Sequence, residues 1–416
     1  AGPASLRRRA EALHPGLSWW EAGGGKQRGE DDRPLADEDV AAQAAFWRAA
    51  SVFARGEDAD GGTTRTAHLA LCGISEGVAG SFCDILNWHA VSCWGEGAEA
   101  VIRAEVANGG DDVLRGRVAV VRFTGGGDAA DGPARESDGA VPSPPAAAGD
   151  TELRTKAWVR RVLVGLGVCP FTKSAERSGQ GLQGLGVPVA GIMYRHSDAS
   201  GGGAGVYELL ADAWESISEM VGRGPSGRRG VSSILLSAPG YDGDFALWAG
   251  PVFAMLESGV GAVQAEEIVG VVCFHPEYKT PDGTSFPGFG HMHSLPRLRK
   301  WYHDLTPAGL PRHPLPDDDV AAGGAYQRRT PHAVVNVLRA DQLEVAEGRR
   351  STGELYERNI RVLVGRDGLG LGRLGADLDG ERSLRAAAGG GGGNDFELTQ
   401  DEGASAPPPV ADAGLG

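Results

Sequence analysis

Paired cysteines are missing from this chain. Cys72, Cys83, Cys93, Cys169 and Cys273 are odd in number and irregular in spacing, which does not suit a disulfide framework. No CxxC pair occurs, so the usual zinc ribbons and dithiol redox motifs are excluded. A reducing, intracellular compartment is the expectation. Long apolar runs are also absent. With no stretch of about eighteen consecutive apolar residues, neither a membrane-spanning helix nor a membrane partner is expected. Basic charge is in deficit, with 40 Lys and Arg against 55 Asp and Glu and a formal net charge of -15. That balance argues against broad nucleic-acid binding, which needs a basic face. Arg7 to Arg9 faintly resemble part of an organelle-targeting segment, but no apolar h-region follows, which excludes a secretory signal. Cytoplasm and organelle are not separated by these features.

Glycine and proline are abundant instead, at 66 and 24 of 416 residues, close to low-complexity composition. Hydrophobic residues still make up 41%, enough for an ordered core. The charge is unevenly spread: residues 151–370 carry 23 basic and 24 acidic groups, so the acidity lies in the flanks. Residues 124–150, rich in Gly, Ala and Pro, read as a disordered linker. Residues 367–416, with Gly389 to Gly393 and Pro407 to Pro409, read as a disordered tail. Residues 1–123 read as a region of uncertain order, at most a small mixed α/β unit. A helix is expected over Asp37 to Arg55, and short strands over 67–72, 84–93, 99–106 and 113–123. Trp88, His89, Cys93 and Trp94 form a local cluster whose simplest reading is buried packing.

Residues 151–366 alternate strand and helix patterns. Strands are expected at Val187 to Tyr194, Ser232 to Ser237, Ile268 to Phe274 and Val334 to Leu338. Val206, Leu210, Ala213, Ile217 and Met220 mark one face of an amphipathic helix. Asp244 to Glu257 reads as a second helix, kinked or delayed by Pro251. The expected fold class is α/β: a mostly parallel sheet with helices on its faces.

Ligands of such sheets bind beyond the carboxyl ends of the strands. His275 follows one strand and suits a general base. Cys169 precedes Pro170, which favours the first turn of a helix. A helix there would make Cys169 its N-cap and stabilise a thiolate. The alternative is a small structural thiol beside a turn. Cys169, Cys273 and His275 would share a metal only with a fourth ligand, and none stands at diagnostic spacing, so no metal site is assigned. His291, Met292, His293 and His303 read as part of a solvated loop. Arg329, Arg339 and Arg358 suit a carboxylate or phosphate through bidentate hydrogen bonds, with surface ion pairing as the alternative. Gly222 to Gly230 lacks the Lys-Ser/Thr ending of a phosphate loop, and no GxSxG elbow occurs.

Five short motifs stand in order: Leu163 to Phe171, Phe274 to Tyr278, Arg329 to His332, Val337 to Arg339, and Tyr356 to Ile360. Together with Trp158 they resemble a bacterial and plant family of conserved hypothetical proteins, catalogued as domain of unknown function fourteen-fifteen. The resemblance covers about 151–366. It implies that Cys169, His275, Arg329, Arg339, Arg358 and Asn359 are signature positions, and it implies no activity. Arg328, Ala333 and Ala340 depart from the family pattern.

Three functional expectations follow, one of them a scaffold whose acidic flanks recruit partners; the other two concern the α/β domain. In one, an enzyme acts on a small anionic metabolite, with Cys169 and His275 catalytic and Arg329, Arg339, Arg358 and Asn359 binding substrate. In the other, the domain binds a small anion without catalysis, and Cys169 is structural. No cofactor and no oligomeric state follow from the pattern.

Overall fold

Hydrophobic periodicity places some of the helices, and long-range pairing decides the sheets. The structure, a computed structural model, describes residues 3–21, 37–55, 64–94, 102–107, 113–115, 117–126, 147–226, 229–281, 293–306, 314–347 and 352–386. The first sheet contains β1 (Ser18–Glu21), β2 (Thr64–Cys72), β3 (Arg103–Val106) and β4 (Val118–Gly126) in the order β1-β2-β4-β3. Helix α1 (Pro3–Leu13) packs on one face of it. Helices α2 (Asp37–Arg55) and α3 (Glu76–Trp94) belong to the core on the other.

Helix α2 matches its expected bounds. Its buried surface is wider than one stripe, because it packs on two sides. Phe46 and Phe53 meet Phe123 of β4, while Trp47 stacks on Tyr207. Residues 84–93, expected as a strand, belong to helix α3. Ala79, Phe82, Cys83 and Leu86 are buried at helical spacing, a period visible only when the window opens before residue 84. Trp88 is 81% exposed, which removes it from the expected buried cluster; the side chains of His89, Cys93 and Trp94 lie outside the described residues.

The second layer set begins with α4 (Ala148–Trp158), which runs into a π-helical stretch, Val159–Gly165. Then come β5 (Arg177–Ser178), β6 (Ala190–His196), α5 (Gly203–Arg223), β7 (Val231–Ser237), α6 (Phe245–Leu247), α7 (Phe253–Ala262) and β8 (Val269–Phe274). They are followed by α8 (Leu295–Leu305), α9 (Asp317–Tyr326), β9 (Val334–Arg339), α10 (Ala340–Glu347), α11 (Thr352–Val364) and α12 (Leu371–Ser383). Pro251 neither ends nor delays its helix. It sits in a π-helical stretch, Trp248–Val252, that joins α6 to α7 and accommodates the missing N–H. The stretch Phe245–Ala262 is long and apolar enough to cross a membrane by composition, but 61% of it is buried inside the protein.

The second sheet has the order β5-β6-β7-β9-β8. The α/β class holds, but the sheet is mixed rather than mostly parallel. Only β6 and β7 pair parallel; β5–β6, β7–β9 and β8–β9 are antiparallel. Strands β6, β7 and β8 do share one direction. Strand β9 enters between β7 and β8 from their carboxyl edge, where the Ala238 N–H donates to the Ala333 carbonyl. A connection that starts and ends at one edge forces an antiparallel return. The same entry brings residues 328–333 to the carboxyl ends of β7 and β8.

The described residues up to Arg385 form one compact unit. Helix α12 lies inside the stretch that composition marks as a tail, with Leu374 and Leu378 buried. The span between Gly126 and Ala147 lies outside the described residues. The N-terminal elements and the second layer set share a continuous core through α2, α3, α5 and α7. Arg48 donates to Asp212 at 2.8 Å and to Glu215 at 2.8 and 2.9 Å across this junction.

Gly259 of α7 faces the junction without a side chain. A methyl there would lie 2.6 Å from the Trp214 ring and closer still to the buried Gln43 amide. Replacing Gly259 by Ala should destabilise the unit by about 1–3 kcal/mol through overpacking, read from the urea midpoint. An unchanged midpoint would mean that α2, α5 and α7 are not in tight register.

Candidate functional site

The carboxyl ends of β6, β7 and β8, together with the entry to β9, form the edge where a site was expected. His275 is fully buried there. Its Nε2 lies 2.9 Å from the Tyr241 carbonyl, which can only accept, so Nε2 carries the proton. Its Nδ1 accepts from the Glu277 N–H at 3.0 Å. Both ring nitrogens are thus committed to backbone. Burial among Phe245 and Trp248 holds the imidazole's pKa down to about 4, outweighing the Tyr241 carbonyl and the nearby Asp242 and Asp244. A neutral ring with both nitrogens engaged is a brace, and it has no lone pair left to act as a base.

Cys169 does not meet this ring. No helix follows Pro170; residues 170–176 are bends around a single bridge at Thr172. The N-cap that would have stabilised a thiolate is therefore missing. Cys169 packs on the cluster containing Val272 and Phe274. Phe245 and Trp248, which hold His275, belong to the cluster with Val271 and Cys273 on the opposite face of the sheet. Cys273 is fully buried, and desolvation pushes its thiol well above the usual range. Cys72, Cys83, Cys169 and Cys273 are free thiols, and among the described residues no three His, Cys, Asp or Glu side chains gather around a metal position.

Most of the expected anion-binding groups hold backbone. Arg339 is buried and donates to the Val231 carbonyl at 2.9 Å and to the Met220 carbonyl at 2.6 Å, in the last turn of α5. Arg358 donates to the Gly167 carbonyl at 2.8 Å, and Asn359 donates to Val168 at 3.0 Å and to Gln327 at 2.8 Å. These two residues shape the turn leading into Cys169. Gly167 has φ +62, and a side chain there would press on the Arg358 guanidinium at 3.0 Å.

Arg329 differs from these three. It is half-buried; its Nε donates to the Tyr278 carbonyl at 3.1 Å, and its guanidinium lies 4.6 Å from the Tyr326 ring centroid. Those contacts fix the plane of the fork. Among the described residues, the terminal Nη groups have neither a hydrogen bond nor a carboxylate partner. Neighbouring Arg328 donates to the Tyr356 hydroxyl at 2.7 Å and lies 5.4 Å from the Phe274 ring.

An unexpected polar chain closes the same edge. His332 Nδ1 is 2.7 Å from Asp242 Oδ2, while Asp242 Oδ1 accepts from the Ala333 N–H at 2.7 Å. On the other side of the ring, Arg154 Nη1 is 3.3 Å from His332 Nε2. A guanidinium can only donate, so Nε2 accepts and Nδ1–H points to Asp242. Arg154 also donates to the Leu384 carbonyl at 2.9 Å, which ties the end of α12 to the sheet. Asp242 lies in the residues after β7 and His332 in a motif before β9; their pairing comes from the antiparallel entry of β9, which no local pattern encodes. His293, expected in a solvated loop, instead meets Trp301 and Tyr356, with ring centroids 4.9 and 4.6 Å away; His291 and Met292 lie outside the described residues.

No family model, no curated protein and no solved structure matches the chain. The resemblance to the fourteen-fifteen family is therefore withdrawn, and the positions it singled out rest on the geometry above alone. Motifs of three to nine residues are short enough to recur in order without common descent.

Replacing Asp242 by Ala would strand two buried donors, the Ala333 N–H and His332 Nδ1–H. A loss of about 2–4 kcal/mol in unfolding free energy is expected, at about 1–3 kcal/mol for each orphaned group. A stability within about 0.5 kcal/mol of wild type would show that the pair does not brace the edge.

Proposed function

We propose that this chain is a non-catalytic domain that binds a small carboxylate or phosphate at Arg329. The observation that carries the reading is the state of that side chain. Its guanidinium is held flat by Tyr326 and the Tyr278 carbonyl while its Nη edge has no internal partner among the described residues. A fork fixed before binding loses little entropy when it takes an anion by two parallel hydrogen bonds. Exposed Lys279 and exposed Glu277 flank Tyr278 in the chain, so the stretch adds no net charge and the anion-binding charge is that of Arg329. The engagement of both His275 nitrogens and the distance in packing between Cys169 and His275 favour binding over catalysis. Arg339, Arg358 and Asn359, being spent on backbone carbonyls, support the shape of the domain and not the ligand.

Titration of the full chain with inorganic phosphate, followed by calorimetry or by tyrosine-edge NMR shifts, tests the reading. Arg329→Ala should weaken phosphate binding by about tenfold or more, the scale of a lost charged hydrogen-bond pair. Arg329→Lys should recover only part of it, because the charge remains while the fork is lost. Superimposable isotherms for wild type and Arg329→Ala would refute the assignment.

A further inference from the structure

The first sheet carries a pair of histidines that the anion site does not use. His14, just after α1, lies against His68 of β2, with ring centroids 4.6 Å apart and planes tilted by 37°. Helix α1 covers an apolar face made by Ala70, Cys72, Leu114, Val118 and Val120, yet buries only Leu6 and Ala10 of its own residues. Leu6 and Ala10 give this short helix a narrow apolar seat, and the histidine contact adds to its docking.

We propose that the His14–His68 contact is an acid-sensitive latch, which holds α1 on the sheet while His68 is neutral and releases it when His68 is charged. Two neutral rings pack at this spacing, whereas a charged His68 is repelled by the like charge around it. The surroundings reinforce that repulsion. On β4, Arg122 stands directly across from His68 in the strand register. The carboxylates nearby are already committed: Glu105 of β3 bridges Arg122, and Glu11 of α1 bridges Arg7 at 2.7 Å. Glu21 of β1 sits across from Cys72, further along β2, and acts on that thiol. His14 Nε2 is buried without a hydrogen-bond partner among the described residues. Burial, His14 and Arg122 all lower the pKa of His68. A lowered pKa in the docked state means that docking is fully stabilised above the ordinary histidine pKa of about 6.5. That stability is lost as pH falls toward the docked value. Release would uncover the Cys72 thiol and the apolar sheet face.

Hydrogen–deuterium exchange of residues 3–17 in the full chain, corrected for the intrinsic pH dependence of exchange, measures the docking directly. Between about pH 7.5 and about pH 5.5, protection of α1 should fall by about tenfold or more while β7 stays protected. In the His14→Gln, His68→Gln double variant the fall should disappear. His68→Lys, which places a permanent charge beside Arg122, should release α1 already at about pH 7.5. Constant α1 protection in wild type overturns the latch, as does an equal fall in the double glutamine variant. Should that variant fail to dock α1 at all, normal protection in His68→Lys overturns it equally.

Discussion

A single buried imidazole sets the conditions at the carboxyl edge of the second sheet. His275 joins the end of β8 to the turn after β7: its Nε2–H donates to the Tyr241 carbonyl and its Nδ1 accepts from the Glu277 N–H. The bond to the Tyr241 carbonyl is buried, which favours a neutral ring in one tautomer. That requirement fixes the loop carrying Tyr278, and with it the carbonyl that orients Arg329. The one guanidinium with an uncommitted edge, among those expected to bind an anion, is therefore positioned through a histidine whose two ring nitrogens are engaged by backbone.

The same economy runs through the rest of the edge. Asp242, His332 and Arg154 form a chain in which every shared proton has a defined owner, and its last link reaches the end of α12. Arg339 and Arg358 neutralise carbonyls at a helix end and a tight turn. Charged groups used in this way tie β9, α11 and the end of α12 to other parts of the fold. On the far side, α2 packed on α5 merges the N-terminal sheet with this assembly, so the site stands on one continuous core.

Local periodicity was a good guide where burial is one-sided or the run is long. The bounds of α2 and the buried stripe of α5 follow directly from it. It failed at α3, where Ile85 and Leu86 have strand-like character but pack within a helix, and at α12, whose small buried stripe hides in a Gly-rich context. The direction of β9 was not legible, because parallel and antiparallel neighbours have the same apolar run when both faces are covered. Cys169 misled for a related reason: Pro170 permits a helix start, but the turn is held open by Arg358 and Asn359 from almost two hundred residues away. Arg329 was legible as an arginine near a strand end. Which of the arginines would remain uncommitted depends on distant carbonyls and could be read only from the fold.

Nitrogen-15 chemical shifts of the His275 ring across a pH titration test the account most directly. The account predicts the neutral tautomer protonated on Nε2, unchanged from neutral pH down to the neighbourhood of about 4. Titration near the ordinary histidine value of about 6.5, or a proton resting on Nδ1, would contradict it.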